Sequence, residues 1–175
     1  MKIFIAFLFL VMNSANASGK KEHRHHKAHV HGAANLDIVF DKLEGRLEFK
    51  TPSESVLGFE YQPKSEKDKK KLSDVIAKFE AEIAQMIQFD SSLGCSITKE
   101  KIEMILEETG HKHHGTHSDF VAHFKVKCEK QILGSSLKID FTSSPKIKKL
   151  NVTFLAGDLQ KSFEIKKKPL TVELK

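Results

Sequence analysis

Apolar and polar residues alternate along much of the chain, which is the period of a β-strand with one buried face. A first strand is predicted from His29 to Phe40, and a second at about 46–50 after a turn at 42–45, so the two form a hairpin. Pro52 follows the second strand. Further strands are predicted at 95–106, 118–127, 137–141, 151–155, 162–165 and 170–174.

One stretch between the strands has the period of a helix instead. Ser65 is suited to cap its N-terminus, and Lys and Glu fill one face. Its apolar stripe is expected to pack on a sheet and comprises Leu72, Val75, Ile76, Phe79, Ile83, Met86 and Ile87. The sequence therefore predicts an α+β fold, a mostly antiparallel β-sheet of about seven or eight strands with one long amphipathic helix packed on it.

The first seventeen residues have the features of a cleavable signal peptide. Lys2 is followed by an apolar run at 3–12 and by the small residues Ala15-Asn16-Ala17. The run is too short to cross a hydrocarbon layer of ~30 Å, and no cysteine near the cleavage site offers a lipid anchor. We therefore expect an exported, periplasmic protein that begins at Ser18 and is not stably inserted in a membrane.

The mature chain divides into a tail and a domain. Residues 18–28 show no apolar periodicity and are expected to form a mobile His-rich tail. Residues 29–175 have the size of a single α+β domain. The net charge is +6, but its lysines form short runs scattered among the elements, a pattern typical of solvated faces.

Cys95 and Cys128 are the only cysteines. An exported chain meets an oxidising compartment, which favours one disulfide between them. Thiolate ligands for zinc would need a CxxC-like pair or histidines at ligand spacing, and neither is present.

The same four-histidine spacing, HxHHxxH, occurs twice, as HRHHKAH at 23–29 and HKHHGTH at 111–117. Neutral imidazole binds Zn²⁺ well and also suits Cu²⁺, Ni²⁺ and Co²⁺. The second copy falls between two predicted strands, at a hairpin tip. Several trios within each copy can reach one ion, which favours capture and exchange over one rigid geometry. The predicted ligands are His23, His25, His26, His29, His31, His111, His113, His114 and His117.

Asp119 lies two residues beyond His117, on the same face of an extended strand. It is a candidate fourth ligand or a partner that fixes a histidine tautomer, and it is equally compatible with a polar residue of no special role. His123, isolated on its strand, is interpreted as a surface residue.

Two other classes of function remain open. A polyanion-binding protein would use the lysine runs and protonated histidines, and its affinity would fall steeply with salt. A metal-dependent enzyme needs a fixed ligand trio, to which redundant histidine runs are poorly suited, and HExxH, GxSxG and a Gly-rich phosphate loop are all absent. The lack of Trp and the single Tyr argue against stacking on nucleic-acid bases.

Four stretches in order, HVHGAANLDIVF, TPSESVLGFE, HSDFVAHFKVKCEK and LKIDFTSSPKIKKLNVTF, resemble the ZrgA-like family of exported zinc-binding proteins. The resemblance implies a periplasmic protein that binds zinc and assists an ABC-type importer, with ligands at His29, His31 and the histidines of the loop. Many relatives carry His where this chain has Tyr61, and their loops are often longer. These departures argue against a ligand in the GFE segment and for a smaller metal capacity.

Overall fold

The computed structural model describes residues 31–107 and 117–175. Strand is the main regular structure in these ranges, with one long helix, so the predicted α+β class is confirmed. The strands are β1 Ala33–Asp41, β2 Glu44–Pro52, β3 Ile87–Phe89, β4 Ser96–Leu106, β5 Ser118–Lys127, β6 Ser136–Ile139, β7 Lys149–Ala156, β8 Leu159–Ile165 and β9 Leu170–Glu173. The helices are α1 Glu54–Leu57 and α2 Glu66–Met86, with a 3-10 turn at Ser91–Leu93.

The strands form two sheets rather than one. The larger has the order β4-β5-β2-β1-β7-β8, and all its neighbours are antiparallel except β1 and β7. The smaller has the order β3-β6-β9 and is antiparallel throughout. The sequence thus predicts the pairing of β1 with β2 and of β4 with β5, but not the division into two sheets.

Helix α2 covers the inner face of the larger sheet. Its Phe79 ring lies 4.8 Å from the ring of Phe49, 5.6 Å from that of Phe120 and 6.1 Å from that of Phe124. Burying such a side chain stabilises a fold by ~1.5–3 kcal/mol. The helix begins after Ser65, whose hydroxyl accepts from the Asp68 amide, so the predicted cap is confirmed. The predicted core role of the stripe is confirmed except at Leu72, which is only partly buried and lies outside the core cluster.

The structure differs from the predicted elements in several places, and Pro52, for example, is the last residue of β2 rather than following it. Strand β1 begins at Ala33, because Gly32 has a φ of +81° that turns the chain before it, and His31 therefore precedes the strand. Helix α2 ends at Met86, and Ile87 opens β3. Helix α1 is not predicted, since its four residues are too few to show a helical period.

Strands β4 and β5 pair as a hairpin, as predicted, and residues 108–116 between them, which include most of the second histidine cluster, lie outside the described residues. The Leu106–Ser118 pair is the last in the ladder, and the Glu107 amide donates to the His117 carbonyl at 2.9 Å. The disulfide between Cys95 and Cys128 is confirmed and lies at the opposite end of the hairpin. In the part of the chain that the structure describes, no helix is long and apolar enough to cross a membrane.

Candidate metal site

Three separate segments meet beside the start of β5. The buried hydroxyl of Ser55 accepts from the Gly32 amide at 3.1 Å, which fixes the turn before β1 against α1. The Ser53 amide donates to the Ser118 carbonyl at 2.8 Å, which fixes the start of α1 against β5. Because α1 is bonded to both neighbours, it brings residue 31 and residue 117 to the same place.

Helix α1 is short, but its side chains and its end are well defined. Leu57 is fully buried and Phe59 is nearly so. Between them Gly58 adopts a φ of +79°, the left-handed conformation common after a helix, and its amide donates to the Glu54 carbonyl. This reversal turns the chain so that Glu60 follows directly on a buried aromatic anchor.

Glu60 contacts histidines from two of the segments. Its Oε2 lies 2.8 Å from Nδ1 of His117, and its Oε1 lies 3.8 Å from Nε2 of His31. The first distance is a hydrogen bond, whereas the second is too long for one. The Glu60 side chain is only 11% exposed, against 58% for His31 and 39% for His117. One nearly buried carboxylate therefore connects the turn before β1 with the end of the histidine loop.

A second carboxylate faces His31 from its other side. Oε2 of Glu54 lies 3.3 Å from Nδ1 of His31. His31 is thus placed between Glu54 and Glu60, and the two carboxylates come from opposite ends of the same short segment. Two imidazoles and two carboxylates give the site nitrogen and oxygen donors of the kinds that zinc accepts.

Buried oxygens without a hydrogen-bond partner cluster in the same segments. Among the described residues the buried side-chain atoms without such a partner are Ser53 Oγ, Glu60 Oε1, Glu82 Oε2 and Ser118 Oγ. Three of these four belong to the segments that carry the site. Such atoms are rare in folded proteins, and their concentration here favours a polar or cationic ligand at this location.

The remaining predicted site residues divide into two groups. Asp119 lies in β5, where its Oδ2 is 2.7 Å from Nζ of Lys50. The other predicted ligands lie outside the described residues: His23, His25, His26, His29, His111, His113 and His114. His123, predicted as a surface residue, lies opposite Glu48 on the outer face of the large sheet.

Glu54 and Glu60 are absent from the residues that the sequence predicts for the site. The recurrence of GFE beside HVHG in the resemblance is the one signal that points to this segment. Within 31–107 and 117–175, no group of three or more His, Cys, Asp or Glu is arranged so that it could hold a metal ion. The described side chains therefore contact one another here without forming a complete set of metal ligands by themselves.

A comparison with curated proteins found no match. A family model described as "ZrgA family zinc uptake protein" matches residues 28–174 and thus includes all the segments that form the cluster. This match extends over far more than half of the sequence, and it agrees with the resemblance carried by the HVHG, GFE and loop motifs. The chain belongs to the ZrgA family of zinc uptake proteins.

Proposed function

We propose that this protein captures zinc in the periplasm, after removal of a signal peptide at 1–17, and assists its uptake by an ABC-type importer. Zinc is its cargo rather than a resident cofactor. The family supports a role in zinc uptake. Our proposal goes further in three respects: zinc binds to the histidine clusters, the protein is exported, and an ABC-type importer receives the zinc.

The observation that carries the proposal is the meeting of His31 and His117 at Glu60. His117 is the last histidine of the loop cluster at 111–117, and the tail cluster at 23–29 ends two residues before His31 in sequence. The fold therefore brings together one histidine from the loop and one that follows the tail. We propose that both HxHHxxH clusters supply ligands to zinc captured here.

The chemistry of the ligands suits a cargo protein. Neutral imidazoles bind zinc firmly, and redundant histidines allow one trio to replace another as the ion moves. Cu²⁺, Ni²⁺ and Co²⁺ also suit imidazole and should compete for these sites in vitro. An enzyme would require one fixed set with an open position for substrate, which the proposed redundant ligands do not provide.

Several lysines of the short runs have carboxylate partners. Lys149 and Lys166 both contact Glu164, at 2.8 and 3.0 Å, and their hydrogen bonds hold the pKa of that carboxyl below its usual range. Lys70 likewise contacts Asp74 at 2.9 Å. Around these three lysines the surface therefore carries charges of both signs, which gives less support to a polyanion-binding role there.

Zinc titration of the purified mature chain tests the proposal. We expect the chain to bind zinc equally well at low and at high salt. We expect no hydrolysis of phosphate esters or of peptide bonds. Replacing Lys69, Lys70 and Lys71 by Gln is the matched control and should leave zinc binding unchanged. Failure to bind zinc, or binding of a phosphate polymer that is lost with salt and with this lysine variant, would contradict it.

The uptake role needs a cellular test. In zinc-limited medium, cells that lack the gene should take up ⁶⁵Zn more slowly, and the parent chain should restore the rate. A chain without the signal peptide should not restore it, because export is part of the proposal. Full restoration by the unexported chain would contradict the periplasmic assignment.

A further inference from the structure

We propose that Glu60 is the positioning residue of this zinc site, because it holds Nδ1 of His117 and thereby directs Nε2 of that ring to the metal. Glu54 acts in the same way on His31, more weakly. This inference rests on the proposed zinc-binding function. It adds two residues from a segment that the sequence gives no part in binding.

The hydrogen bond between Glu60 and His117 determines the tautomer of the ring. An ionised carboxylate can only accept, so the 2.8 Å contact requires a proton on Nδ1 of His117. In a neutral imidazole the lone pair is then on Nε2, which is the nitrogen able to coordinate zinc. Histidines that bind metals commonly donate their other N–H to a carboxylate in this way.

The surroundings of Glu60 make this bond strong and directional. The Glu60 side chain is 11% exposed, and an ionic hydrogen bond away from water is stronger than one at the surface. Phe59 next to it is buried and anchors the backbone. The carboxylate is therefore held in place before any metal arrives.

The second oxygen of Glu60 faces the other histidine, on the side of Nε2. Oε1 is buried, has no hydrogen-bond partner and lies 3.8 Å from Nε2 of His31. On the far side of that ring Glu54 Oε2 lies 3.3 Å from Nδ1, in the position of the carboxylate in a carboxylate–histidine–metal arrangement. Glu54 is 40% exposed, so water competes with it, and its contribution should be smaller than that of Glu60.

Glu60 can be changed without removing the contacts that hold its segment. The Ser55 hydroxyl and the Ser53 amide fix α1 to its neighbours through bonds that do not involve Glu60. Buried Leu57 supplies apolar contacts as well. Variants at residue 60 are therefore expected to fold and to report on zinc binding.

Zinc affinity of four chains, measured by competition with a chromophoric chelator, tests the proposal. Glu60→Ala should weaken binding ~10–100-fold, the usual cost of losing a carboxylate behind a histidine ligand. Glu60→Gln keeps an acceptor oxygen and should stay within a few-fold of the parent. Glu66→Gln, an 89% exposed glutamate of α2, is the matched control and should bind as the parent does. Unchanged affinity in Glu60→Ala, or equal losses in the Ala and Gln variants, would overturn the positioning role.

The tautomer of His117 gives a second measurement that needs no metal. Nitrogen NMR of the zinc-free parent should show His117 protonated on Nδ1, with its signals assigned by comparison with His117→Gln. In Glu60→Ala the ratio of the two neutral tautomers of His117 should shift from Nδ1–H toward Nε2–H. Nε2–H in the folded parent would overturn the inference even if the Ala variant failed to fold. A parent that binds no zinc would instead overturn the proposed function, so the two failures are distinguishable.

Discussion

Oδ2 of Asp119 lies 2.7 Å from Nζ of Lys50, and the Asp119 side chain is only 9% exposed. The two residues are on neighbouring strands, β5 and β2, where Asp119 pairs with Pro52. A nearly buried carboxylate requires compensation by a cation or by hydrogen bonds, and Lys50 provides the cation. The contact with Lys50 thus compensates the burial of a carboxylate that the sequence predicts as a metal ligand.

We expect Asp119→Asn to affect stability more than zinc binding. Lys50 is half exposed, so solvent screens the pair and its loss should cost about 1 kcal/mol in the free energy of unfolding. Zinc affinity should change by less than about tenfold, the factor that ~1.4 kcal/mol represents. Urea denaturation and chelator competition measure the two effects. A larger loss of zinc affinity, with an unchanged free energy of unfolding, would show that Asp119 is a ligand.

Gly45 should resist substitution because of the ring of Phe40, its partner across the β1–β2 pair. A Cβ at residue 45 would lie 2.7–2.8 Å from three atoms of that ring, and Phe40 is 4% exposed. Overpacking of this kind typically costs 1–3 kcal/mol. Gly45→Ala should lower the free energy of unfolding accordingly, and Phe40→Leu in the same chain should recover part of the loss. Strictly additive effects of the two substitutions would show that the ring is not the cause.

The disulfide between Cys95 and Cys128 should stabilise the protein without taking part in zinc binding. It closes a 33-residue separation, for which the chain-entropy estimate is roughly 4 kcal/mol. Ten residues of β5 at ~3.3 Å each separate it from the loop. Replacing both cysteines by Ser should lower the unfolding free energy and leave zinc affinity unchanged at temperatures where the variant is folded. Two free thiols in periplasmic protein, found by non-reducing mass spectrometry, would contradict the bond itself.

Much of the fold is predictable because it follows from local periodicity. In strands with one buried face, apolar and polar residues alternate. Helix α2 is 21 residues long, has apolar residues at three- and four-residue spacing and is capped by Ser65. Each of these elements can therefore be recognised within its own segment. The start of β1 is not predictable in this way. His31 continues the alternation in sequence, but the chain turns at Gly32, which has a positive φ. The strand therefore begins only at Ala33, and His31 lies outside it.

The candidate site is less predictable because it depends on distant contacts. Glu60 is 57 residues from His117 and becomes a site residue only when α1 is bonded to both the turn before β1 and the start of β5. No spacing of residues within the sequence predicts that these segments contact one another. Asp119 has the spacing of a ligand beyond His117, and that role stays a prediction, but no pattern in the sequence predicts its contact with Lys50 of the neighbouring strand.

The loop cluster should contribute more to zinc affinity than the tail cluster. Both ends of the loop are held by the paired strands β4 and β5, so less ordering entropy is lost on binding than in a tail attached at one end. Replacing His111, His113, His114 and His117 by Ala should therefore weaken binding more than deleting residues 18–28. Competition titrations of the two variants decide the order. A loop variant with parental affinity, beside a weakened tail deletion, would reverse it.

Zinc affinity should fall steeply as the pH is lowered. An imidazole must be neutral to bind the metal, and an unperturbed histidine titrates near pH ~6.5, so protons compete with zinc below that value. With about three histidines per ion the apparent association constant should fall by up to ~1,000-fold for each pH unit well below ~6.5, because each ligand contributes one power of the proton concentration.

A site made mainly of carboxylates would behave differently. Free Asp and Glu titrate near pH ~4, so its affinity would change little until about pH 5. Chelator competition at several pH values between roughly 7.5 and 5 separates the two cases, and Glu60→Ala measured in parallel should keep the slope of the parent, since a positioning residue does not change the number of imidazole ligands. A nearly flat profile down to about pH 5.5 would assign most of the ligands to carboxylates such as Glu54 and Glu60, and the histidine clusters would then not be the principal site.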